Sequence, residues 1–107
     1  MGTRAQLVIC TFPDAAKAAE VARTVVTEGL TACVNLLPGV RSIYGWEGEL
    51  CDDSEVVALM KTTACRFADL RDRVVALHPY DCPEVIAMEI VDGHQTYLDW
   101  VSDVCKG

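Results

Sequence analysis

The sequence predicts an α+β fold: a ferredoxin-like βαββαβ sandwich, with a four-stranded antiparallel sheet, two helices on one of its faces and a further C-terminal helix. Three observations predict it. Apolar β-prone runs alternate with runs of helical period in the order β-α-β, β-α-β, then α. The chain has 107 residues, so 1–107 is read as a single domain. Half of those residues (51%) are apolar and 23% are charged, enough for a packed core and too hydrophobic for a disordered polymer.

The elements follow in order. Leu7-Val8-Ile9-Cys10 is continuously apolar, as a strand covered on both faces would be. Pro13-Asp14 interrupts it, and Asp14 is suited to cap the helix that follows. There Ala15, Ala18, Ala19, Ala22, Val25 and Val26 recur at three- and four-residue steps, with Gly29 placed to end the helix. Residues 31–46 read as extended, broken at Pro38-Gly39. Glu47-Gly48-Glu49 is a turn signal, and Glu55 to Thr62 is the next strand. Phe67, Leu70, Val74 and Leu77 repeat at helical spacing until Pro79 stops the helix after His78. Val85 to Ile90 supplies the fourth strand, and a final helix runs from about Gln95 to Cys105.

The second extended segment is too long for the body it belongs to. Sixteen residues of straight strand span roughly 50 Å, whereas a chain of this length has a radius of gyration near 13 Å and a diameter of about 34 Å. Pro38-Gly39 must therefore bend or bulge the strand, or its far half must project beyond the globule. A projecting ribbon carrying Ile43, Tyr44 and Trp46 leaves aromatic surface and a sheet edge in water, and pairing with other copies of the chain removes that cost. An oligomer is expected.

Charge and motifs exclude several functions. Nine Lys and Arg against sixteen Asp and Glu give a net charge of −7, which repels phosphate backbones, so nucleic acid is not an expected partner. No apolar run approaches the ~20 residues that cross a bilayer, so no membrane partner is expected either. The opening residues lack the apolar core of an export signal, and the expected compartment is the cytoplasm. Six cysteines at 10, 33, 51, 65, 82 and 105 form no CxxC pair and read as reduced thiols. No GxSxG, P-loop, GxGxxG or HExxH motif is present, and no enzyme activity is expected.

The chemistry-bearing residues each admit two readings. His78-Pro79-Tyr80-Asp81-Cys82-Pro83-Glu84 is a connection stiffened by two prolines. His78 is either the cap of the preceding helix, packed beside Tyr80, or a ligand for a borderline metal. Cys10 closes the first strand, where its thiol is either a small buried group or a soft-metal ligand completed by His78 or Cys82. Glu47, Glu49, Asp52, Asp53 and Glu55 read as a solvated hairpin turn, with a hard-cation cluster as the other reading. Lys61 is an anion contact or a snorkelling strand lysine.

Several blocks of residues together resemble the CutA family of divalent-cation tolerance proteins. They are Cys10-Thr11-Phe12-Pro13-Asp14, Ala32 to Val40, Ser42-Ile43-Tyr44-Gly45-Trp46-Glu47-Gly48, Lys61-Thr62, His78 to Glu84 and Tyr97-Leu98-Asp99-Trp100. They cover nearly the whole chain in order. The resemblance implies a tight homotrimer built like PII signalling proteins, with binding of copper, less readily zinc, and no obligatory cofactor. It places proposed metal ligands on Cys10 and His78. Some members have two adjacent histidines where this chain has Leu77-His78, and Cys82 is a candidate substitute. An inter-subunit cleft would gather Tyr44, Trp46, Lys61, Tyr80 and Glu84. The implied function is non-catalytic, with a metal ion or small molecule as partner: metal binding and tolerance, or alternatively PII-like sensing of a small anionic metabolite in that cleft, with Lys61 as charge partner.

Overall fold

In the computed structural model, residues 3–105 are described. They form β1 (Ala5–Phe12), α1 (Ala15–Thr27), β2 (Cys33–Trp46), β3 (Glu49–Thr63), α2 (Phe67–Leu77), β4 (Val85–Glu89) and α3 (Gln95–Val104). The strands make one sheet in the order β2-β3-β1-β4 with every neighbouring pair antiparallel, which is the ferredoxin-like arrangement.

Alternation along the strands divides the sheet into two faces. Val8, Cys10 and Phe12 of β1 stand opposite Met60, Ala58 and Val56 of β3, and all six are buried with Ala18, Val21 and Val25 of α1 and Leu70 and Val74 of α2. The opposite face carries Leu7, Ile9 and Thr11, flanked by Met88 and Ile86 on β4 and by Lys61, Leu59 and Val57 on β3. No helix covers Ile86, Met88 or Leu37 on this face, and all three are exposed. A separate small cluster of Ala32, Val101 and Cys105 seats α3.

Local signals account for the boundaries. Asp14 accepts a hydrogen bond from the Lys17 amide at 2.8 Å and caps α1. At the other end the Gly29 amide bonds Val26 O and the Leu30 amide bonds Val25 O, a Schellman closure with Gly29 at φ +71° and Leu30 buried near Val25. A Cβ at Gly29 would also meet the Val104 carbonyl of α3 at 3.4 Å. Glu47 and Gly48 both have positive φ and make a two-residue turn that pairs Trp46 with Glu49.

Two sequence expectations change, and a third is resolved among its alternatives. The third strand starts at Glu49, not Glu55, because the tight turn lets pairing propagate at once; Glu49, Asp52, Asp53 and Glu55 are strand residues, and only Glu47 lies in the turn. In a ribbon wet on both sides, Glu49, Asp52 and Asp53 occupy strand positions without burial, and only Glu55 at its base is buried, so the pattern read as a turn. The first strand continues past Cys10 to Phe12, whose ring joins the core, so Cys10 lies inside the strand. The break at Pro38-Gly39 is a bulge: register shifts between Leu37 and Val40, Gly39 has φ +76°, and the strand continues beyond it. The outer half of the β2–β3 hairpin thus extends from the body, and the chain measures 43 × 26 × 22 Å.

Candidate functional site

The 78–84 connection folds back on the end of β1 and the base of the hairpin. His78 takes an extended backbone ahead of Pro79 and ends α2. Its ring stacks on Phe12 at 4.6 Å between centroids and lies 4.8 Å from the Tyr80 ring. Nε2 meets the Thr11 carbonyl at 2.7 Å, while Nδ1 accepts the Tyr80 amide at 3.1 Å. That pairing selects the neutral tautomer protonated on Nε2. His78 is only 8% exposed, and burial lowers its pKa below the ordinary 6.5.

The network continues outward. The Tyr80 hydroxyl donates to Glu55 Oε2 at 2.7 Å, and Glu55 is itself 7% exposed. The Tyr44 hydroxyl donates to Asp53 at 2.6 Å, which pushes the Tyr44 pKa up to about 12 because the bond and the neighbouring charge both favour the neutral phenol. Burial and the bond to Glu55 raise Tyr80 as well. Between the hairpin and this connection lies a cleft of about 750 Å³, lined by Thr11, Ser42, Tyr44, Trp46, Glu55, Tyr80, Asp81, Cys82 and Glu84, with Ile43 and Pro79.

Four of the five residues expected in a cleft, Tyr44, Trp46, Tyr80 and Glu84, come together here within one chain. The fifth, Lys61, does not line it. Lys61 stands opposite Cys33 on β2 and Leu7 on β1, where its ammonium bonds Asn35 Oδ1 and lies 3.7 Å from Cys33 Sγ. Sequence reasoning did not place Thr11, Ser42, Ile43, Glu55, Pro79, Asp81 or Cys82 on the cleft wall. The chemistry of Glu55 was visible, but its placement followed only from the hairpin register that brings it beside Tyr80.

The chain matches the CutA1 divalent ion tolerance protein family over residues 6–104. It belongs to that family. The divalent-cation tolerance protein CutA of Thermus thermophilus is 45% identical over 98 residues, which is 92% of this chain and 95% of the relative. Human protein CutA is also 45% identical over 96 residues, 90% of this chain but 54% of the human protein. Among solved structures, CutA from Xylella fastidiosa superposes with a TM-score of 0.94 at 37% identity, covering 96% of this chain and 99% of that one. Names within the family differ in compartment: an Arabidopsis thaliana relative is named chloroplastic, and an Archaeoglobus fulgidus structure is described as periplasmic. No helix among the described residues of this chain is long and apolar enough to cross a membrane.

For a CutA1-family chain the three expected metal ligands sit in different settings. Cys10 is fully buried between Ala58 and Val85, and burial, with Glu84 nearby, pushes its thiol pKa up to about 12. A thiolate ligand there would sit in the apolar core. His78 has both ring nitrogens engaged inside the chain, and Cys82 is exposed on the cleft wall. Among the described residues no group of three or more His, Cys, Asp and Glu side chains is arranged to hold a metal ion, so Cys10, His78 and Cys82 make no such set within one chain.

Proposed function

We propose that the protein is a non-catalytic, trimeric binding protein of divalent-cation tolerance, acting in the cytoplasm, with copper as the metal its sulfur and imidazole donors suit best and zinc second. The observation that carries this reading is the match to the CutA1 family along almost the whole chain. The sheet supports the trimer: an apolar face bearing Leu37, Ile86 and Met88 is left open beside a hairpin too long for one globule, and shared packing would cover both.

A metal set in this assembly draws ligands from more than one subunit. Cys82 offers an exposed soft donor, and His78 offers a borderline one once its bonds to the backbone are exchanged. Cys10 serves the core. Native mass spectrometry of protein exposed to Cu²⁺ tests the reading. The expected result is three chains that retain copper, with less retained by His78→Gln and Cys82→Ser and no change in Cys10→Ala. A single chain, or three chains that hold no ion, would overturn it.

A further inference from the structure

The walls of the cleft between the hairpin and the 79–84 connection select a class of ligand. They present three carboxylates, Glu55, Asp81 and Glu84, and three aromatic rings, Tyr44, Trp46 and Tyr80, and among the described residues no Lys, Arg or His side chain lines them. We propose that this cleft binds a small organic cation, an alkylammonium or an aliphatic diamine. The rings receive its charge and its alkyl carbons, and the carboxylates neutralise it. The proposal rests on the reading of the protein as a binding protein and names what its cleft takes.

The hairpin register explains why the hairpin wall of the cleft carries no basic group. Ser42, Tyr44 and Trp46 stand opposite Asp53, Cys51 and Glu49, so these six share one face of the ribbon. Arg41, the one basic residue between 40 and 55, belongs to the other face. There its guanidinium makes two bonds to Asp52, at 2.8 and 2.7 Å, and is neutralised away from the cleft. The hydroxyls of Tyr44 and Tyr80 donate to Asp53 and Glu55, which holds the two rings in place.

Other ligand classes fit the walls less well. An anion entering would meet three carboxylates and, among the described residues, no cation. A bare divalent ion needs converging oxygen or sulfur ligands, and no group of three or more His, Cys, Asp and Glu among the described residues supplies them. An ammonium group needs neither; negative potential and the ring faces turned to the cleft suffice. The volume of about 750 Å³ lies within the range of small-molecule sites.

The chain has two tryptophans, so Trp100→Phe leaves Trp46 as the sole indole reporter on the cleft wall. In that background, tetramethylammonium chloride and 1,4-diaminobutane are titrated against sodium chloride of matched ionic strength, with sodium citrate as the anionic control. Saturable changes in Trp46 emission are expected for the two organic cations, weaker by at least about tenfold in the Asp81→Asn/Glu84→Gln double variant. An unresponsive indole, a response to citrate instead, or equal affinity in the double variant would overturn the proposal. So would an indole shielded from iodide before any cation is added, which would mean that another subunit fills the cleft. Copper retention read by native mass spectrometry on the same samples reports separately on the metal reading.

Discussion

The imidazole of His78 commits both nitrogens inside the chain, one to Thr11 O and one to the Tyr80 amide. Protonation would make Nδ1 a donor facing another donor. Because burial lowers the folded pKa below 6.5, the unfolded chain takes up the proton first as pH falls. The contribution of His78 to stability is therefore complete above about pH 6.5, declines between there and the lowered folded value, and is constant below it. Thermal unfolding measured from neutral pH to about pH 5 is expected to show a falling Tm that His78→Asn lacks; a rise in Tm over that span would contradict the tautomer. The cysteines give a second residue-scale expectation. Cys65 and Cys82 are exposed, whereas Cys10 and Cys105 are buried with thiol pKa values raised by burial. Iodoacetamide on the native protein should label the first pair and leave the second unlabelled until denaturant is added, as peptide mass spectrometry would report.

At the scale of elements, the ends of α1 carry measurable energy. Asp14→Ala removes the bond to the Lys17 amide and should lower unfolding free energy by about 1 kcal/mol. Gly29→Ala meets two obstacles, the left-handed φ of +71° and the Val104 carbonyl 3.4 Å from the new Cβ. It should cost about 1–2 kcal/mol and loosen α3 as well as α1. Urea denaturation measures both, and a Gly29→Ala protein as stable as its parent would mean that α3 is not seated against the closure. The hairpin is governed differently. Its outer residues bury little: Leu50 is 80% exposed and Ile43 is 63% exposed. Strand pairing from the Glu47-Gly48 turn holds this ribbon, and side-chain burial within the chain contributes little to it.

The whole molecule is longer than its residue count requires. Its radius of gyration is 14.3 Å, against about 13 Å for a compact chain of this length, and the excess lies in the hairpin. The open face of the sheet adds Ile86, Met88 and Leu37 to the exposed apolar surface. If three chains share that face, a charge placed on it will separate them. Ile86→Asp is expected to reduce the assembly from three chains to one in size-exclusion chromatography with light scattering, while circular dichroism keeps its mixed α/β shape. A variant that stays trimeric would move the interface elsewhere.

Much of this was legible in the residues themselves. Element order, the Asp14 cap, the Gly29 stop, the break at Pro38-Gly39 and the overlong second strand all follow from local chemistry: side-chain periodicity, a capping carboxylate, residues that tolerate unusual φ, and rise per residue. The family could be read from the same stretches, because its motifs run in order along the chain. What the sequence could not decide was direction and company. Whether Cys10 closed its strand or lay in the core depended on two further pairs, Thr11 with Val57 and Phe12 with Val56. Which partners His78 met, why Lys61 stood away from the cleft, and how Glu55 came beside Tyr80 all depended on strand register. Register is a relation between residues far apart in the chain, selected by the burial of one whole face of the sheet, and no local pattern encodes it.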